Sequence, residues 1–193
     1  MELYKKNSNK LLDKNVYDPS YEHDACGVGF ISSTVGKKSR KIVEFGIQAL
    51  KAVWHRGAVD ADGKTGDGAG IHIEIPKDFF IERIQNAGRQ HKEGTICVGM
   101  IFLPRNDYSS QEKCKTVVEN ELLKKNYYIY RWRQVPVNTR VLGIKAESNR
   151  PEIVQVIFKS NKSNLKNDEL ERDLFVVRKS IEKEANLLKL KDF

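Results

Sequence analysis

Residues 55–70, His-Arg-Gly-Ala-Val-Asp-Ala-Asp-Gly-Lys-Thr-Gly-Asp-Gly-Ala-Gly, hold five of the chain's thirteen glycines, three aspartates and almost no large apolar side chain. No helix or strand period runs through them. A globular domain rarely keeps so long a structureless stretch without a use for it, so the regular elements must be arranged around it. Upstream, Ser39 to Trp54 places Val43, Ile47, Leu50 and Trp54 on one face, which predicts a helix packed under a sheet. Downstream, Ile71, Ile73 and Ile75 alternate with His72 and Glu74, the pattern of a half-buried strand that Pro76 stops. Further on, the spacing predicts a short helix over 78–86 and a buried strand over 94–103. A capping box of Ser109 and Glu112 opens a helix running to about Lys125. Strands follow over 127–135 and 151–159. A final helix over 169–190 carries Leu170, Leu174, Val177, Ile181 and Leu188 on one side. Hairpin-like and crossover-like spacings are mixed, which predicts an α+β fold with a layered sheet.

The composition removes several classes of function. The chain has 193 residues, enough for one domain. Its longest apolar run, Ile96 to Leu103, is far short of the roughly 20 residues that span a bilayer, so no membrane partner is expected. The first twenty residues are polar and carry no secretory core. Cys26, Cys97 and Cys114 form no CxxC pair, which argues against a disulfide framework, against a zinc ribbon or other metal site, and for a reducing, cytoplasmic setting. Lys and Arg total 34 against 26 acids, for a net charge of +8. The excess is scattered, as in Asn161-Lys162-Ser163-Asn164, rather than gathered into a patch. The aromatic and arginine run at 127–133 alternates as a strand with one wet face. A basic nucleic-acid-binding domain is therefore the weakest of the readings, and no nucleic-acid partner is expected.

Which side chains carry chemistry follows from setting. Cys97 and Cys114 stand inside apolar or helical patterns and read as packed thiols. Cys26 stands where the polar leader, residues 1–25, gives way to Cys-Gly-Val-Gly-Phe-Ile, a short apolar stretch read as a strand with glycines at 27 and 29. A thiolate at the head of such a strand can attack a carbonyl. Its base is His23, His55 or His72, or, once the leader is removed, the α-amino group of Cys26 itself, whose ordinary pKa of about 7.7–8.0 leaves part of it neutral near pH 7. The loop after His55 is no phosphate-binding loop, since no Gly-Lys-Ser/Thr follows. Ser32 breaks a dinucleotide fingerprint, and Asp60, Asp62 and Asp67 lack the calcium-hand spacing. Two readings stay open for it: a loop that brings backbone N–H groups to a polar ligand, or a solvated turn.

Tyr17-Asp-Pro-Ser-Tyr-Glu-His-Asp-Ala-Cys-Gly-Val-Gly-Phe30, followed by His55-Arg-Gly-Ala, Asp62 and Gly66-Asp-Gly-Ala-Gly-Ile71, resembles the class II glutamine amidotransferase domain at the N-terminus of glutamate synthase large subunits. Trp132-Arg-Gln-Val-Pro-Val137, Leu142-Gly143 and Pro151 continue the likeness. The resemblance implies the four-layer αββα fold of N-terminal-nucleophile hydrolases. It makes residues 1–25 a propeptide and 26–193 the N-terminal portion of the domain. Cys26 becomes the nucleophile that forms a γ-glutamyl thioester from L-glutamine. Arg56 and Gly27 become substrate-binding residues beside it. Ammonia would pass to 2-oxoglutarate in a full enzyme whose remainder carries FMN and an iron–sulfur cluster, with a small subunit or another electron donor as partner; no cofactor is expected in this segment. The family's oxyanion hole uses an Asn-Gly pair, and none occurs in residues 1–193. The resemblance therefore also implies an incomplete, N-terminal half of the fold, inactive on its own, and leaves an inactive scaffold remnant as an alternative.

Overall fold

The computed structural model describes residues 27–54, 57–66, 68–162, 167–190 and 193. They fall into two units, divided after Gly57.

The first unit contributes one helix, α1 (Arg40–Ala52). Ser39 has extended backbone and its hydroxyl accepts from the Lys41 N–H, satisfying one of the free donors of the first turn. Val43, Ile47 and Leu50 form the expected stripe, but it is only half-buried, and no residue of α1 is buried. Among the described residues this unit contains no strand for the stripe to cover. Residues 27–31, expected as a buried strand, pair with no strand among the described residues, and Val28 and Phe30 are more than nine-tenths exposed. An extended segment without a partner has nowhere to place its ladder hydrogen bonds, whatever its side-chain pattern.

The second unit is built on a sheet of three antiparallel strands, β1 (Ile96–Leu103), β2 (Tyr127–Gln134) and β3 (Glu152–Ser160), in the order β1-β3-β2. It also holds α2 (Lys77–Gln85), α3 (Tyr108–Lys124), the short α4 (Ile144–Ser148) and α5 (Asn167–Leu187). The central strand β3 is the last of the three in sequence. It reads as a nearly continuous apolar run, as a strand covered on both faces should. One face meets α3 and α5, where Val118, Leu122, Leu170 and Val177 close over Cys97, Val156, Phe158 and Tyr127. The other meets α2, where Phe80 and Ile84 pack on Ile96, Tyr130 and Ile157. The helical stripe read over 169–190 is thus seated through Leu170, Leu174, Val177 and Ile181, while Leu188 is exposed. All of this is α+β, with one sheet among the described residues.

Three local readings are corrected. The alternation at Ile71, Ile73 and Ile75 makes no strand: the segment joins no ladder, and only Ile75 reaches the α2 cluster. Helix α3 is capped by Asp107 and not by Ser109, because the Asp107 carboxylate accepts from both the Ser110 N–H (2.9 Å) and its hydroxyl (2.6 Å), and the helix has already begun at Tyr108. Strand β2 carries a bulge at Tyr130, between the pairs Ile129–Phe158 and Arg131–Ile157, so it departs from simple alternation.

Gly99 lies opposite Val156 in the β1–β3 ladder. A Cβ there would come within 2.8 Å of Val156 Cγ1 and near Phe158 and Ile101. Gly99→Ala should therefore lower stability by about 1–3 kcal/mol through overpacking, read as a lower urea midpoint.

Candidate functional site

The glycine–aspartate loop is a closed structure. A bridge pairs Val59 with Gly66, the Asp60 N–H donates to the Thr65 carbonyl at 2.7 Å, and the Gly63 N–H donates back to the Asp60 carbonyl at 2.9 Å. Gly63 sits at φ +68°, where a side chain would be strained. Asp62 fills the inside of the turn. Its carboxylate accepts from the Thr65 hydroxyl (2.5 Å), the Thr65 N–H (2.7 Å) and the Lys64 N–H (2.9 Å). These bonds, the Thr65 hydroxyl foremost, hold its carboxyl well below the usual carboxylate range. Asp60 is likewise lowered, chiefly by the Lys145 ammonium 2.6 Å away, with help from the Ala61 N–H. Residues 58–66 thus form a hydrogen-bonded turn in which the Asp60 and Asp62 carboxylates are engaged with the protein.

The partner of the loop is α4, some eighty residues further along. The N-cap of α4 is Gly143, which has no side chain to satisfy the first N–H groups of the helix. The loop supplies the acceptors instead. Asp62 accepts from the Lys145 N–H, and the Thr65 hydroxyl accepts from the Ala146 N–H at 3.4 Å. Any Cβ on Gly143 would overlap Thr65 Oγ1 and Asp62 Oδ2 and lie 2.5 Å from the Thr65 nitrogen. The missing side chain at 143 is thus the space that the loop occupies.

Of the residues expected to act, Cys26 and Arg56 lie outside the described residues, as do His23, His55 and Asp67. Gly27 is exposed and outside any helix or strand, with open space where a Cβ would stand. His72 is exposed. Sequence reading passed over His91, whose Nδ1 is 2.7 Å from the Tyr130 hydroxyl. Burial, and then the nearby Lys159 charge, depress its pKa. The other two cysteines are packed. Cys97 is buried against α3 and α5, and burial pushes its thiol up to about 12. Cys114 is buried in a separate cluster with Leu103 and Val154, and burial raises it too. Neither thiol is poised as a thiolate near neutral pH. Among the described residues no group of His, Cys, Asp or Glu is placed to hold a metal, and no helix is long and apolar enough to cross a membrane.

The family model of class-II glutamine amidotransferases matches residues 26–193. The chain belongs to that family. The match begins at Cys26, the residue singled out as the nucleophile, and runs through the closed loop, α4 and the three-stranded sheet. The chain is 49% identical over 190 residues to the glutamate synthase [NADPH] large chain of Azospirillum brasilense, an alignment that takes in 98% of this chain and 12% of that one. It is 43% identical over 163 residues to the ferredoxin-dependent glutamate synthase of Pyropia yezoensis, covering 84% of this chain and 10% of the relative. It is 38% identical over 162 residues to the glutamate synthase [NADH] of Saccharomyces cerevisiae, covering 81% and 8%. The chain thus spans about a tenth of the length of these relatives. Within this amidotransferase segment, Leu142-Gly143 belongs to the stretch that carried the resemblance. Sequence gave it no role, because a glycine that makes room for a loop eighty residues away leaves no local signature.

Proposed function

We propose that this chain is the glutamine-hydrolysing part of a glutamate synthase, with Cys26 as its nucleophile. The observation that carries the reading is the family match that opens on Cys26. In this reading residues 1–25 are a propeptide and 26–193 the N-terminal portion of a four-layer αββα hydrolase domain. Release of the propeptide frees the α-amino group of Cys26, which accepts the thiol proton. The thiolate attacks the side-chain amide carbon of L-glutamine. The C–N bond breaks, the nitrogen takes up the proton and leaves as ammonia, and a γ-glutamyl thioester remains. Water then hydrolyses the thioester, giving glutamate and the free thiol. Arg56 favours the thiolate by its charge and orients the substrate carboxylate by its planar fork. Gly27, with no side chain, leaves the backbone beside the nucleophile open to substrate.

Ammonia passes to 2-oxoglutarate in the rest of a cytoplasmic enzyme. A flavin and an iron–sulfur cluster held there, outside this segment, would supply the redox chemistry, with a small subunit or another donor as the source of electrons. The described cysteines do not fit a cluster: Cys97 and Cys114 are protonated, buried and in separate apolar groups.

The test is covalent labelling of the full-length enzyme with a diazo-ketone analogue of glutamine, followed by peptide mass analysis. The label should fall on Cys26, with Cys97 and Cys114 unmodified. An unlabelled Cys26, or a label on either packed thiol, would overturn the assignment.

A further inference from the structure

The face of the sheet that meets α2 also carries Arg131 and Arg133. In the β2–β3 ladder Arg131 stands opposite Ile157 and Arg133 opposite Gln155, and both arginines are half-buried. Arg83 of α2 joins them. Its guanidinium carbon lies 5.0 Å from the centre of the Phe79 ring, and that of Arg133 lies 5.3 Å from the same centre. Arg131 Nη1 donates to the Arg83 carbonyl at 3.0 Å. Three guanidiniums are thus gathered at one place in the second unit, and their partners are almost all neutral. Arg133 donates to the Gln155 side-chain oxygen at 2.8 Å, and Arg131 donates to backbone carbonyls. Among the described residues no carboxylate forms an ion pair with Arg131 or Arg133. Arg83 has only Glu82, at 3.3 Å, a solvent-exposed pair of little worth. Arg83 Nε is buried without a hydrogen-bond partner among the described residues.

A guanidinium keeps its charge at any ordinary pH, and taking one out of water is costly unless an opposite charge meets it. Its planar fork matches a carboxylate through two parallel hydrogen bonds. The surroundings indicate what bears that carboxylate. The row Arg133–Gln155 continues across the sheet to Met100, which is 49% exposed, with Phe102 next on the same face at 52%. Arginine, methionine and aromatic side chains together are the composition of a protein interface, and a phosphate chain has no use for the apolar half. We propose that this arginine cluster is a docking surface for an acidic segment of the same polypeptide, outside residues 1–193, whose Asp or Glu side chains pair with Arg131 and Arg133. The proposal rests on the reading of this chain as one part of a glutamate synthase, whose relatives it matches over about a tenth of their length.

The test uses the full-length enzyme carrying Arg131→Lys or Arg133→Lys. Each substitution keeps the charge and supplies an amine, which a carbodiimide joins to a carboxylate in contact with it. Peptide mass analysis should find position 131 or 133 joined to an Asp or Glu beyond residue 193. The wild-type enzyme, with guanidiniums at these positions, should give no such cross-link. Charge exchange supplies a second readout. Arg133→Glu alone should lower the melting temperature, and replacing the cross-linked acid by Arg in the same chain should restore it.

Absence of a cross-link in both Arg131→Lys and Arg133→Lys would overturn the proposal. So would cross-links confined to acids within residues 1–193, which would make the cluster part of this segment's own packing. A melting temperature that charge exchange fails to restore would overturn the pairing as well. Should Arg133→Glu fail to fold, the cross-links decide alone. Absence of Cys26 labelling by the diazo-ketone analogue in the wild type would instead overturn the functional reading beneath the proposal and leave the cross-link result standing, so the two failures are told apart.

Discussion

Cys26→Ala in the full-length enzyme should abolish glutamine-dependent glutamate synthesis and leave ammonia-dependent synthesis intact. Removing a covalent nucleophile takes away the only route to the thioester, and such losses reach about a millionfold where nucleophile and base act as a unit. Here the base is proposed to be the α-amino group of the same residue. Alanine keeps that amine and removes what it serves. Added ammonia should bypass the step, because the acceptor reaction is proposed to lie outside this segment. Steady-state assays with glutamine and with ammonium salt, run on the same preparation, check both halves. Loss of both activities would point to damaged folding, and retention of both would remove Cys26 from the mechanism.

Ile157→Ala should give the largest stability loss of any conservative truncation in the second unit. Ile157 is fully buried at the middle of the central strand. It is paired with Val98 on one side and Arg131 on the other, and lies in the cluster formed with Phe80, Ile84 and Tyr130. Strands on both flanks keep the backbone from closing over the missing atoms. The cost should therefore fall in the range of about 2–5 kcal/mol seen for such cavities, a large share of the roughly 5–15 kcal/mol that holds a domain folded. A lower denaturant midpoint at unchanged m-value is the expected signature. Leu123→Ala is the control: that side chain is 59% exposed on α3, one position from the buried Leu122, and should shift stability by no more than about 0.5 kcal/mol.

Elements that pay their own way locally were legible in the sequence. Helix α5 could be read because Leu170, Leu174, Val177 and Ile181 repeat at helical spacing, and β3 because Ile153 to Phe158 is apolar enough for two covered faces. The packed state of Cys97 and Cys114 followed from their neighbours in the same way. What was not legible depended on partners distant in sequence. Ile71, Ile73 and Ile75 have a strand's alternation, but alternation does not say whether another strand lies alongside. Asp107 and Ser109 are both good capping residues two positions apart, and only the backbone at Tyr108 decides between them. Asp62 belongs to a motif visible at once, yet its role in capping α4 depends on Gly143, a residue whose contribution is the absence of atoms. Cys26 and Arg56 were reached from motif and family membership alone.

The bulge at Tyr130 has a consequence for which lengths of this chain evolution can accept. Ile129 and Trp132 are three residues apart, yet both face α3 and α5, and the Trp132 indole N–H reaches Glu119 at 2.6 Å. Tyr130, between them, is buried on the opposite side against α2. A regular strand of the same length would turn Trp132 to the α2 side, away from Glu119, and send Arg131 and Arg133 towards the apolar surface of Val118 and Leu122. Losing one codon at 130–131 would remove the extra residue and leave Trp132 opposite Val156 on its present face, whereas losing both would invert every side chain from Trp132 to the strand's end. Substitutions can drift along β2, and its length can shrink by the one residue that the bulge absorbs.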